Sequence, residues 1–224
     1  MKVGVLQFPG TCDEIDAVLA AERAVGIGNA ELLWHRDRDL KGVDAVVVPG
    51  GFSYGDYLRA GSIAALSPAM GAVAAFAREG GPVLGICNGF QVLCEAGLLP
   101  GTMLMNLSRR FTFRDVTLRV EAADTAWTAA TSAGAELVIP AKHQTGRWYA
   151  PDDLLDEVRG NDQVVFTYAA DDRPNGSSAN VAGVCNAQRN VVGLMPHPEH
   201  ATDPLTGSVD GLLLFRSPAE AARV

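Results

Sequence analysis

The sequence predicts an α/β fold: a mixed, mostly parallel sheet with helices on both faces. Three observations carry this. Short β-branched runs end at glycine or proline and alternate with helical patterns through the first hundred residues. Those runs are continuously apolar, as strands buried on both faces are. The second half is rich in strand-like runs and poor in helical ones, which adds antiparallel strands to the sheet.

The elements follow in order. Val3 to Phe8 is the first strand, closed by Pro9-Gly10, and Asp13 to Val25 carries Ile15, Val18, Leu19 and Val25 at helical spacing. Glu31 to Trp34 is a second strand, and Val43 to Val48 a third, stopped by Pro49-Gly50-Gly51. Ile63 to Arg78 is alanine-rich and reads as a helix ended by Gly80-Gly81. Val83 to Ile86 is the fourth strand, and Asn88 to Ala96 a helix with Gly97 as its stop. Thr112 to Glu121, Glu136 to Pro140, Gln163 to Ala169, Val181 to Asn186 and Val191 to Met195 read as strands. Asp152 to Val158 and Val209 to Phe215 read as helices, and Asp171 to Ala179 as a loop. No internal repeat or low-complexity linker divides the chain, so its 224 residues are expected to form one domain, 1–224.

Composition excludes several classes. The net charge is −8 and no Lys/Arg-rich run occurs, which argues against nucleic acid or anionic membrane as the main partner. No apolar segment is long enough to span a bilayer, and the opening MKVGVLQFPG reads as a strand, not a secretory signal, so a cytoplasmic location is expected. Cys12, Cys87, Cys94 and Cys185 make no C-x-x-C pair and do not cluster with histidines at metal-ligand spacing. His197 and His200 form one H-x-x-H without a third ligand and are expected to face solvent; no metal site is predicted.

Gly85-Ile86-Cys87-Asn88-Gly89 fits G-x-C-x-G, the thiol form of a nucleophile elbow. A strand delivers Cys87 to the C-terminal edge of the sheet. The flanking glycines permit the close strand-to-helix turn that a strained elbow needs. At a helix N-terminus, free N–H groups and the dipole favour thiolate over thiol. The N–H of Asn88 points toward an oxyanion formed there, and Gly51 in the Gly-Gly turn after the third strand is the second donor. A lone cysteine is more often a small core residue, and Cys12, Cys94 and Cys185 are read so.

A cysteine nucleophile needs a base, and a base needs an orienting group. His197 stands in Met195-Pro196-His197-Pro198-Glu199, just past a strand end. In an extended chain residues two apart point to the same side, which brings the Glu199 carboxylate to the imidazole. Prolines on either side stiffen the pair. A proline-bounded surface loop with a chance ion pair is the alternative for this segment alone. His35, beside Arg36 and Asp37, reads as a solvated loop residue, and His143 has no adjacent acid.

With these residues in place, the chain resembles the class I (triad) glutamine amidotransferases, a flavodoxin-like α/β fold. More narrowly, it is similar to the glutaminase-subunit (subunit I) family of phosphoribosylformylglycinamidine synthase. GICNGFQ and MPHPE carry the broad likeness. FPGTCD (8–13), PGGFSYGDYLRAG (49–61), RPNGSSANVAGVCN (173–186), NVVGLMPHPE (190–199) and DGLLLF (210–215) carry the narrow one. The likeness runs from Met1 to about Phe215. It departs where the family often reads H-G-E-G and this chain has His143-Gln144-Thr145-Gly146, and the first motif is slightly shortened around Thr11-Cys12.

The resemblance implies that Cys87 attacks the side-chain amide of glutamine, that His197 gives a proton to the departing ammonia, and that Glu199 orients His197. It implies Gly51 and Asn88 as oxyanion donors, and Gly50, Phe52 and Gln91 as substrate-binding residues, with Phe52 to Tyr57 along the glutamine pocket. It implies no cofactor in this chain, with ATP and Mg²⁺ on a separate large synthetase subunit and a small assembly subunit as a further partner. The chain carries no P-loop. Two other readings remain open here: a glutaminase subunit of another amidotransferase, and a non-catalytic flavodoxin-like binding module. A protease- or chaperone-like relative on the same elbow is a weaker third, since no histidine lies in the helix after Cys87.

Overall fold

The computed structural model describes residues 1–169 and 172–222. Among these, nine strands form one sheet and two more a small ribbon. The parallel half is built from β1 (Val3–Gln7), β2 (Ala30–Trp34), β3 (Ala45–Val48), β4 (Val83–Ile86) and β11 (Val191–Leu194). The other half is antiparallel: β10 (Val181–Cys185), β9 (Val164–Tyr168), β6 (Thr112–Val120) and β7 (Glu136–His143). The order is β2-β1-β3-β4-β11-β10-β9-β6-β7. The mixed sheet foreseen from the sequence is present, with its five parallel strands side by side and the antiparallel additions beyond β11. Every residue of β3, β4 and β11 is buried, which requires cover on both faces.

Chain order reverses at β1, whose neighbours are β2 and β3. Crevices at such a switch point, beyond the carboxyl ends of the strands, are where open α/β sheets bind ligands. The segment after β1 and the Gly50-Gly51 turn after β3 meet there through a Thr11–Gly51 bridge.

Several boundaries differ from expectation. The predicted 63–78 helix is a short 3₁₀ turn, Ala64–Leu66, followed by α2 (Pro68–Arg78). Pro68 starts α2 because its fixed φ suits the first helical position, while it forces Ser67 into an extended conformation. In α1 (Glu14–Val25) the buried face is Ala17, Ala20 and Ala21, not the larger apolar residues. Ile15 is 54 % exposed and Leu19 47 %. Small side chains face inward and Ile15 and Leu19 turn out, while Val18 and Val25 pack at the edge of the core. The ribbon of β5 (Thr102–Leu104) and β8 (Arg147–Tyr149) was not foreseen, since neither run is long enough to read. β7 continues past Pro140 to His143, α4 spans Asp152–Gly160, and α5 spans Gly211–Ala221 through Pro218. Of the 171–179 loop, Asp171 lies outside the described residues; Ser178–Asn180 forms a 3₁₀ turn.

Helix α3 (Asn88–Glu95) packs on β3, β4 and β11. The approach is close. A Cβ at Gly89 would collide with the carbonyl of Val48, and one at Gly85 would come 2.5 Å from Leu93 Cδ1 and 2.9 Å from the Gly89 backbone. Alanine normally stabilises a helix relative to glycine by about 1 kcal/mol. Here we expect Gly89→Ala to destabilise the protein by about 2 kcal/mol or more in denaturant unfolding, because the added methyl meets fixed backbone. An unchanged midpoint would mean that α3 can retreat from β3 at no cost.

Candidate active site

Cys87 joins β4 to α3 with φ 49° and ψ −103°, a left-handed backbone that a side chain rarely adopts. Its N–H donates to Leu194 O at 2.9 Å, so β11 holds the elbow from the other side. Its Sγ lies 3.8 Å from Lys142 O and faces a cavity of about 230 Å³. Cys12, Asp56, Phe111, Lys142, His143 and His197 also line that cavity.

His197 and Glu199 converge with Cys87 from a distant part of the chain. Glu199 Oε1 lies 2.6 Å from His197 Nδ1, and both side chains are buried. They do not meet as alternate residues of an extended chain: Pro198–His200 is a 3₁₀ turn, and the turn supplies the contact. His197 N–H donates to Pro140 O at 2.8 Å, which pins the segment to β7. The other ring nitrogen, Nε2, is buried without a hydrogen-bond partner among the described residues. Burial alone would drive the imidazole toward its neutral form. The Glu199 carboxylate and the Cys87 sulfur outweigh it and push the His197 pKa up to about 10.

Of the two predicted donors, Gly51 lines the same cavity as Cys87, and Asn88 is the next residue along the chain. Gly51 has φ 137°, and a Cβ there would strike the Cys12 and Thr11 backbone, so only glycine fits. Asn88 is the first residue of α3, where an N–H has no partner within the helix. The Asn88 side chain holds the loop above: Oδ1 accepts from Ser53 N–H at 3.0 Å, and Nδ2 donates to Gln91 Oε1 at 2.8 Å. Gln91 in turn donates to Thr145 O at 2.6 Å. Gln91 therefore reaches the cavity wall with its polar atoms already engaged.

Other placements depart from expectation. Gly50 is not part of the cavity wall; its Cα faces the Asp13 carboxylate and the His197 ring, where a Cβ would lie 2.7 Å from Cε1. Within 52–57, Phe52 and Asp56 line the cavity, while Tyr57 is exposed and Tyr54 turns away. The Tyr54 hydroxyl lies 2.8 Å from Nδ1 of His35, which is buried and not solvated; burial lowers its pKa. Cys12 is exposed at the cavity rim, not in the core. His197 is fully enclosed and His200 partly so, because carboxylates compensate both rings.

The departure at 143–146 also has a structural account. His143 is buried, and its Nδ1 lies 3.2 Å from Asn106 Oδ1. Asn106 also takes the Gly146 N–H at 3.1 Å and donates to His143 O at 3.0 Å. Burial and the nearby His197 charge lower the His143 pKa to about 4, so it is neutral near pH 7. Asn175 from the RPNGSSAN segment donates to Gly146 O at 2.7 Å and fixes the turn.

Sequence reasoning missed a polar group behind His197. Asp13 Oδ1 lies 2.6 Å from Lys142 Nζ and 3.3 Å from His200 Nε2, and its Oδ2 is 3.6 Å from His197 Nδ1. Asp13 closes the FPGTCD motif, which was the one available signal. Donor atoms of Asp13, His197, Glu199 and His200 lie within 4.8 Å of one another, a spacing that suits a metal ion. The Lys142 ammonium already sits on Asp13, and His197 Nδ1 on Glu199, so the chain supplies its own positive charge there.

Cys87, Gly51 and His197 thus line one cavity, with Glu199 on the imidazole. Residues 1–211 match the CobB/CobQ-like glutamine amidotransferase domain, and the chain belongs to that family. Among curated relatives it is 58 % identical over 221 residues to phosphoribosylformylglycinamidine synthase subunit PurQ of Mycobacterium bovis, covering 98 % of this chain and 97 % of that protein. It is 56 % identical to the same subunit of Rubrobacter xylanophilus over the full length of both. A chain of the solved PurLQS structure from Thermotoga maritima superposes with a TM-score of 0.89 at 39 % identity, covering 99 % of this chain and 98 % of that one.

The raised His197 pKa has a consequence for stability. A protonated imidazole favoured by folding contributes fully below the ordinary value of 6.5, and the contribution fades as pH rises toward about 10. We expect the gap in denaturation midpoint between the wild type and His197→Gln to be widest near about pH 6 and to narrow as pH rises above that. A gap that stays constant over that range would contradict it.

Proposed function

We propose that this chain is the glutaminase subunit of a phosphoribosylformylglycinamidine synthase, releasing ammonia from glutamine for a separate synthetase subunit. One observation carries the chemistry: the strained Cys87 elbow and the Glu199-bound imidazole of His197 face one cavity, with Nε2 left free. The full-length PurQ relatives support the pathway.

The reaction uses the groups in order. His197 starts as the imidazolium, already holding the proton that Cys87 gives up, and the sulfur attacks the side-chain carbonyl carbon of glutamine. The oxygen becomes an oxyanion between the N–H groups of Gly51 and Asn88; losing one such donor costs about 2.7–4 kcal/mol in the transition state. The C–N bond then breaks, the leaving nitrogen takes the proton from His197, and a glutamyl thioester remains. Neutral His197 next draws a proton from water, which attacks the thioester; the C–S bond breaks and glutamate departs. Glu199 holds Nδ1 throughout, so Nε2 stays aimed at the reacting atoms. Phe52 and Asp56 form part of the wall that seats glutamine.

ATP and Mg²⁺ belong, on this reading, to the large synthetase subunit that converts formylglycinamide ribonucleotide to the amidine, with a small third subunit in the assembly. This chain would need no cofactor of its own. Among the described residues no helix is long and apolar enough to cross a membrane, which accords with a cytoplasmic assembly.

The test is ammonia release from glutamine, with and without the synthetase. Cys87→Ala is expected to abolish it, and Glu199→Gln to lower kcat on the order of 10²–10³-fold. Activity is expected to rise when the synthetase is added. Amidine formation by the chain alone from ATP would overturn the division of labour, and undiminished glutaminase activity in Cys87→Ala would overturn the chemistry.

A further inference from the structure

Asp13 sits where a helix N-cap residue normally stands, just before α1, yet its side chain makes no capping hydrogen bond. An aspartate at that position usually caps the first turn. Here the residue is buried and its carboxylate is turned the other way, toward Lys142, His200 and His197. Its backbone N–H donates to Gly50 O at 3.4 Å, so the same residue grips the turn that presents Gly51. Gly50 must lack a side chain because a Cβ there would meet both the Asp13 carboxylate and the His197 ring.

We propose that Asp13 is a positioning residue of the glutaminase reaction, an inference that rests on the function proposed above. Its carboxylate stands as a second anion on the Nδ1 side of His197, and Lys142 moderates its charge. Glu199 alone would hold the ring; Asp13 adds attraction for the imidazolium and ties the ring to the oxyanion turn. The charged and titratable groups around His197 are Glu199 and His200 on its own turn, Asp13 from the start of α1, Lys142 and His143 from β7, and Cys87 from the elbow. Two members of this set, Asp13 and Lys142, form one ion pair, and their removal therefore has opposite electrostatic effects on the imidazolium.

The experiment measures ammonia release against pH in the assembled complex for wild type, Asp13→Asn and Lys142→Met. The basic limb of kcat reports loss of the imidazolium proton. Asp13→Asn is expected to move that limb down by roughly one pH unit, lowering kcat about tenfold on the basic side of the limb and little at lower pH, with KM for glutamine changed less than about threefold. Lys142→Met is expected to move the limb up, since the Asp13 charge then acts on His197 undivided. A purely structural ion pair would move neither limb, or both in the same direction, and either result overturns the proposal. Should Asp13→Asn fail to fold, the direction of the Lys142→Met shift decides alone. Loss of ammonia release in the wild-type complex itself would instead count against the glutaminase reading.

Discussion

The close contact between α3 and the ends of β3 and β4 is the constraint on which the site depends. With no side chain at Gly85 or Gly89, the helix begins against the Val48 carbonyl. The chain must then reverse within one residue, and that residue is Cys87, at φ 49°. The strain is held by tight packing and by the hydrogen bond to Leu194. A relaxed backbone here would turn the sulfur away from the cavity, and no rearrangement of side chains could compensate.

A second layer keeps charge where the chemistry uses it. His197 is enclosed, and an enclosed imidazole ordinarily loses its proton. Glu199 and Cys87 reverse that tendency. Asp13, held well below its ordinary carboxylate range by His200, His197 and Lys142 against the opposing effect of burial, remains ionised behind the ring. His143, on the wall of the same cavity, is pushed the other way and stays neutral. Two buried histidines at one cavity thus carry different charges because only one has carboxylates beside it, the division of acid–base roles by environment seen in many active sites.

The elbow, the His–Glu pair and the Gly-Gly turn were legible because each is a local pattern whose spacing states its geometry. The rest was not. The contact between His197 and Glu199 was foreseen, but its cause was not: a 3₁₀ turn replaces the extended chain. His35 looked solvated because its sequence neighbours are charged, whereas its packing partner, Tyr54, is nineteen positions away. α1 misled through its large apolar residues, since close packing on β1 and β2 selected the alanines instead. Asp13 looked like a helix start, and its carboxylate found stronger partners across the sheet edge.

By itself, the sequence determined the strand–helix alternation, the elbow and the residue types that could act there. Hydrophobic period, glycine spacing and proline stops are short-range constraints that the chain carries wherever it goes. The tertiary structure alone decided which charges meet. Asp13 and Lys142 are 129 positions apart, and Asp13 and His200 are 187 apart. Their encounter follows from strand order at the β1 switch point, and strand order is settled by packing over the whole sheet, not by any local stretch of residues.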